Sequence, residues 1–154
     1  MAALPVYLTR SLSNLDKCFF LCPVEYENGM IVRNDSRGDG NFASRRNGGR
    51  MHNGIDLQAG IGSPVYACRS GRAGTFTQKN GMGNYIILRH AGGISTLYGH
   101  LSSVEVKDGS FVVQGQTIGK VGKTGNANHP DIAPHLHFEI KKNGKIQDPL
   151  EYLE

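Results

Sequence analysis

No apolar run in this 154-residue chain approaches the ~20 residues that a helix needs to span a bilayer, so no membrane span is predicted. Charge is also scarce. Charged residues make up 19% and the formal net charge is +4, which suits nucleic acid. The basic residues, scattered without the aromatic interleaving of single-strand binders, do not settle the partner, and the expectation of no nucleic-acid partner comes from the motifs below. A modest positive charge suits an anionic surface such as a cell wall. Cysteine is limited to Cys18, Cys22 and Cys68, an odd count without paired Cys-x-x-Cys motifs, which excludes a disulfide framework and a four-cysteine zinc knuckle. One disulfide between Cys18 and Cys22 stays open for an oxidising compartment, and Cys68 is expected as a small buried residue. No export signal is predicted: the apolar patch at 18–22 is too short, and Leu21 before Cys22 spoils a lipoprotein reading. Sustained helical periodicity and internal repeats are absent. Gly122-Lys123-Thr124-Gly125 lacks the upstream glycine and following helix of a phosphate-binding loop.

Glycine is abundant, with 21 residues, and it punctuates short β-branched segments. Strands are predicted at 64–69, 71–78, 84–90, 94–101, 103–106, 111–113, 117–121, 135–141 and 145–146. Gly92-Gly93, Asp108-Gly109 and Asn143-Gly144 mark the turns, because Gly and Asn accept the positive φ that tight hairpins need. The pattern predicts an all-β, antiparallel single domain. Residues 34–50, rich in glycine and charge, read as a long irregular loop. Residues 1–33 read as an extension packed on a domain spanning 34–154.

Three patterns carry chemistry. In Pro134-His135-Leu136-His137-Phe138-Glu139, strand alternation sets His135 and His137 on one face and Leu136 and Phe138 on the other. The two imidazoles then stand close enough for one to bind a metal while the other handles a proton; a chance surface pair is the alternative. In His52-Asn53-Gly54-Ile55-Asp56, a histidine and a carboxylate four residues apart face the same way. With His137 they would make a three-donor set of the catalytic-zinc kind, open at the fourth position; a hydrogen-bonded loop pair is the alternative. His100, in Tyr98-Gly99-His100-Leu101, is either a proton-handling group or a half-exposed strand histidine.

These motifs, together with Gly62-x-Pro64-Val65-Tyr66-Ala67, Gly83-Asn84, Gly115-Gln116-x-Ile118-Gly119 and Gly125, occur in an order that resembles the lysostaphin/LytM-type zinc endopeptidases from about residue 42 to residue 153. The resemblance implies His52, Asp56 and His137 as zinc ligands. It implies His135 as general base toward the water at the metal, with His100 stabilising the oxyanion or sharing proton transfer. Asn84 and Tyr98 are the candidates for substrate contact. The implied fold is β-sandwich-like, with a groove floored by the larger antiparallel sheet. Family members carry Phe-Gly-x-x-Arg before the first ligand; Phe42-Ala43-Ser44-Arg45 lacks that glycine, and a structural role is assigned to Arg45. His90 and His129 match no motif; His90 is expected to be only packed or solvated, and His129 to be a solvated loop residue, with contact to substrate as the alternative.

The expected function is zinc-dependent hydrolysis of peptide bonds in the stem or cross-bridge of bacterial peptidoglycan, by a monomer holding one Zn2+. The site of action would be the periplasm or cell wall, or the protein would be a phage-encoded lytic enzyme. A non-catalytic relative that binds and regulates wall hydrolases is the alternative. A biotinyl-type carrier, suggested by Gly109-x-x-Val112-x-x-Gly115-Gln116, is disfavoured because no modifiable lysine stands at a suitable hairpin tip.

Overall fold

A computed structural model of the protein describes Asp16 and residues 19–153. The turn pairs read from sequence do fold the chain back on itself. Asn143 and Gly144 adopt φ of 50° and 78°, and Gly92 and Gly93 adopt 78° and 73°, the left-handed values that make tight hairpins. Eleven strands result among the described residues: β1 (Asn34–Asp35), β2 (Gly38–Asp39), β3 (Ile55–Gln58), β4 (Pro64–Tyr66), β5 (Gly71–Thr77), β6 (Asn84–Arg89), β7 (Ile94–Val104), β8 (Phe111–Val112), β9 (Thr117–Val121), β10 (His135–Lys142) and β11 (Lys145–Gln147). The only helical pieces among the described residues are four three-residue 3-10 turns. The domain is all-β and every pair of these strands is antiparallel; an isolated parallel bridge joins Phe20 to Leu153.

Nine strands join in one sheet of order β11-β10-β7-β6-β5-β8, with β3 added to β10 and the β4-β9 pair added to β7. The two longest strands exchange partners along their length. On one edge β10 pairs β3 through residues 135–138 and β11 through residues 140–142. Strand β7 pairs β6 up to Leu101 and β9 beyond it. That continuity corrects the two separate strands predicted at 94–101 and 103–106. Strand β3 is absent from the predicted strands, because its four residues are too few for periodicity to mark.

Alternation decides the core. Leu136, Phe138 and Ile140 are fully buried on one face of β10, packed with Tyr98, Ile55, Leu57 and Ile86; each such side chain contributes about 1.5–3 kcal/mol of burial. Phe20, Cys22 and Val24 also belong to this core. Leu21 N–H donates to Cys68 O at 3.0 Å, and Tyr66 N–H donates to Pro23 O at 2.8 Å. Cys68 is buried as expected. Cys18 lies outside the described residues, so the Cys18–Cys22 pairing does too. The 34–50 segment is more regular than predicted: β1 and β2 form a small hairpin, and Asn47–Gly49 is a 3-10 turn.

Candidate metal centre

Strand register builds the centre. Asp56 on β3 lies opposite His137 on β10, and His137 lies opposite Gly99 on β7. Residues directly opposite share a face, so Asp56 meets His137 over a position that carries no side chain in β7. The close approach of β3 to β10 depends on Gly54, where a Cβ would come within 2.3 Å of Phe138 O.

The donors converge. His52 Nε2, Asp56 Oδ1 and His137 Nδ1 form a triangle with edges of 3.0, 2.8 and 3.1 Å. Four ligands at about 2.0–2.2 Å around tetrahedral Zn2+ would be separated by about 3.3 Å, close to these edges. Every donor has its other polar atom occupied. His52 Nδ1 donates to Asn41 O at 2.9 Å and His137 Nε2 donates to Glu139 Oε1 at 2.9 Å. Asp56 Oδ2 accepts from Arg33 Nε at 3.1 Å and from Arg46 Nη2 at 3.4 Å. The lone pairs left over all point at one another, an arrangement that repels unless a proton or cation sits among them. Residues and chemistry therefore fit a divalent metal held by two imidazoles and one carboxylate, with the outer hydrogen bonds that orient such ligands.

Charge follows the same logic. Burial opposes ionisation of Asp56, yet its hydrogen bonds to His137 and His52 hold its carboxyl well below the usual range. Burial likewise opposes charge on His137, and the flanking Asp56 and Glu139 overcome it, raising its pKa to about 9. A proton thus occupies the cation's place when no metal is bound, and metal must displace it.

Two further imidazoles face the centre. His135 Nδ1 donates to Ala133 O at 2.8 Å, which leaves its Nε2 as a lone pair 3.8 Å from Asp56 Oδ1. His100 Nδ1 donates to Thr124 O at 2.8 Å, and its ring centroid lies 5.2 Å from that of His135. Burial lowers both pKa values, to about 4 for His100. Ordinary alternation would turn His100 to the same side as Tyr98. Instead His100 has φ of 62°, and this left-handed residue next to the β7 irregularity re-aims the ring into the cleft.

Tyr98 consequently stays on the core side, fully buried, with its hydroxyl 2.9 Å from Thr96 Oγ1 and 3.1 Å from Cys68 Sγ. Substrate contact by Tyr98 is corrected on that ground. Asn84 is outside the cleft lining and donates from Nδ2 to Leu101 O at 3.2 Å. Arg45 lines the cleft, but it is Arg33 and Arg46 that reach Asp56. His90 is packed, with ring nitrogens 2.8 Å from Ser70 O and 2.7 Å from Thr96 Oγ1. His129 lies outside the cleft lining, its side chain 36% exposed.

Sequence reasoning missed Arg33, Arg46 and the role of Glu139. Two-residue spacing from His137 could have found Glu139; nothing local marks Arg33, 23 residues from its partner. The centre opens into a cleft of about 670 Å³, with the 34–50 segment forming one side.

The chain is similar to known proteins. A 101-residue stretch, 66% of this chain, is 42% identical to the DD-carboxypeptidase/endopeptidase Mpg of Neisseria meningitidis serogroup B, matching 22% of that protein's length. The chain therefore covers well under a third of this relative. A zinc-containing peptidase from Vibrio cholerae superposes with a TM-score of 0.66 at 29% identity, over 84% of this chain and 38% of that one. The catalytic domain of the antimicrobial peptidase lysostaphin from Staphylococcus simulans superposes with a TM-score of 0.59 at 34% identity, over 93% of this chain and 95% of its own. Residues 50–149, which hold all four site histidines with Asp56 and Glu139, match the model of peptidase family M23, and the chain belongs to that family.

Proposed function

We propose that this chain is a zinc-dependent endopeptidase that hydrolyses peptide bonds in bacterial peptidoglycan, acting as a monomer on the wall or in the periplasm. One Zn2+ would be held by His52 Nε2, Asp56 Oδ1 and His137 Nδ1. Bound there, zinc supplies a Lewis acid that polarises the scissile carbonyl and acidifies water toward pKa ~7. The observation that carries the reading is the convergence of three donors whose outer atoms are all engaged, beside two imidazoles with free Nε2 atoms.

His135 takes the general-base role. Its Nδ1–H is committed to Ala133 O, so Nε2 accepts the proton of the attacking water and can pass it to the leaving amine. His100 shares that transfer. With its own Nδ1–H on Thr124 O, a neutral His100 offers an acceptor at Nε2 and donates to an oxyanion only after gaining a proton. Arg33 and Arg46 keep Asp56 ionised and turned, and Glu139 fixes the tautomer of His137.

The test is incubation of zinc-loaded protein with purified walls, following turbidity and identifying released fragments by mass spectrometry. Chelator-sensitive release of peptide-cleaved fragments is expected. Binding to walls without any cleavage, at one zinc per chain, would instead make the protein a non-catalytic regulator of wall hydrolases.

A further inference from the structure

One side of the cleft is cationic and the other is not. Arg33, Arg37, Arg45, Arg46 and Arg50 all line it on the β3 side, whereas Gly81, Met82, Asn126 and Ala127, tied to one another and to β7 by the hydrogen bonds Asn126 N–H to Gly81 O and His100 N–H to Met82 O, line the β7 side without a charged group. The lining holds only two carboxylates, Asp56 and Glu139. Both are committed, the first to Arg33 and Arg46 and the second to His137.

That leaves Arg37, Arg45 and Arg50, which have no ion-pair partner among the described residues. They stand on ordered backbone. Arg37 sits in the β1–β2 turn, where its N–H donates to Asp35 Oδ1 at 2.9 Å. Arg45 pairs with Met51 in an isolated bridge, and Arg46 N–H donates to Arg50 O at 2.7 Å, tying the two arms of the 45–51 loop together. The nearby acids are already engaged: Asp35 by Arg33 and Ala133 N–H, Asp39 by Asn41.

We infer that this arginine wall selects a peptide strand carrying free carboxylates, in wall terms an unamidated stem peptide, over amidated stems or polyglycine bridges. The inference rests on the endopeptidase reading and narrows its substrate. Guanidinium groups pair with carboxylates through two parallel hydrogen bonds, whereas a carboxamide or a glycine offers no negative charge. Three cations spread over a hairpin turn and a second loop suit separate carboxylates along an extended chain. The uncharged opposite side leaves room for the backbone and small side chains of such a chain.

The test uses two soluble cross-linked peptide dimers that differ only in whether their stem carboxyls are free or amidated, with zinc-loaded wild-type protein and the Arg37→Gln/Arg45→Gln/Arg50→Gln variant. Wild type is expected to favour the free-acid dimer by about tenfold or more in kcat/KM, mostly through KM, and the variant's ratio to fall toward one. Equal cleavage of both dimers by wild type, or a preference that survives in the variant, overturns the inference and leaves the hydrolase reading standing. Should neither dimer be cut, calorimetric titration with the free-acid stem peptide decides separately. Binding that the triple variant loses sustains the arginine wall in a non-catalytic protein, and absence of binding overturns it.

Discussion

At the residue scale, each site histidine is defined by what its second nitrogen touches. His52, His100 and His135 bond backbone carbonyls of Asn41, Thr124 and Ala133, and His137 bonds Glu139. Removing a ligand and removing a base therefore have different consequences. His137→Ala and Asp56→Ala should each abolish stoichiometric zinc, measured by elemental analysis after dialysis. His135→Ala should keep about one zinc per chain yet lose ~10²-fold or more in kcat; near-normal turnover would move the base to His100. The side chains of this set were legible because ligand chemistry restricts them to histidine and carboxylate at meaningful spacings. Their backbone partners were not, since a carbonyl has no sequence signature. Arg33 is the instructive omission: it lies in the stretch read as an extension, yet it is 5% exposed and paired with Asp56.

At the element scale, the site is a consequence of register between β3, β10 and β7. A one-residue slip would send Asp56 or His137 into the core face. Gly54 guards the β3–β10 spacing, so Gly54→Ala must push the strands apart or shift Phe138 O. Thermal melting and zinc titration should show a loss of about 1–3 kcal/mol in stability together with weaker zinc binding; a variant with unchanged melting and affinity would mean that the register tolerates the extra carbon. Turns and alternation made most strands readable before any coordinates. The failure came at β7, where left-handed His100 breaks the alternation that would pair it with Tyr98. Local pattern cannot announce such a break, because the partner strands impose it.

At the scale of the whole molecule, one core unites the sheet with the 20–24 segment, and His90 sits at that junction. Its ring lies 6.4 Å from Phe20 in an edge contact, and burial lowers its pKa to about 4. A histidine depressed in the folded state contributes stability above its unfolded pKa of about 6.5, and that contribution is lost as pH falls toward 4. Denaturant unfolding across pH 7 to 4 should thus show a steeper loss for wild type than for His90→Gln, by up to about 3 kcal/mol. Parallel profiles would show that His90 is not charged on unfolding. Fold class and the line of the cleft were readable in the sequence. The arginine wall was not, because its members gather only once the β1–β2 hairpin and the 45–51 loop are placed beside β3.

Crystals of the zinc-loaded protein, measured with anomalous scattering at the zinc edge, give the most direct test of the metal centre. The account predicts one peak per chain, about 2.0–2.2 Å from His52 Nε2, Asp56 Oδ1 and His137 Nδ1, with solvent completing the coordination. A peak elsewhere, or a fourth protein atom fixed in the solvent position, would contradict it.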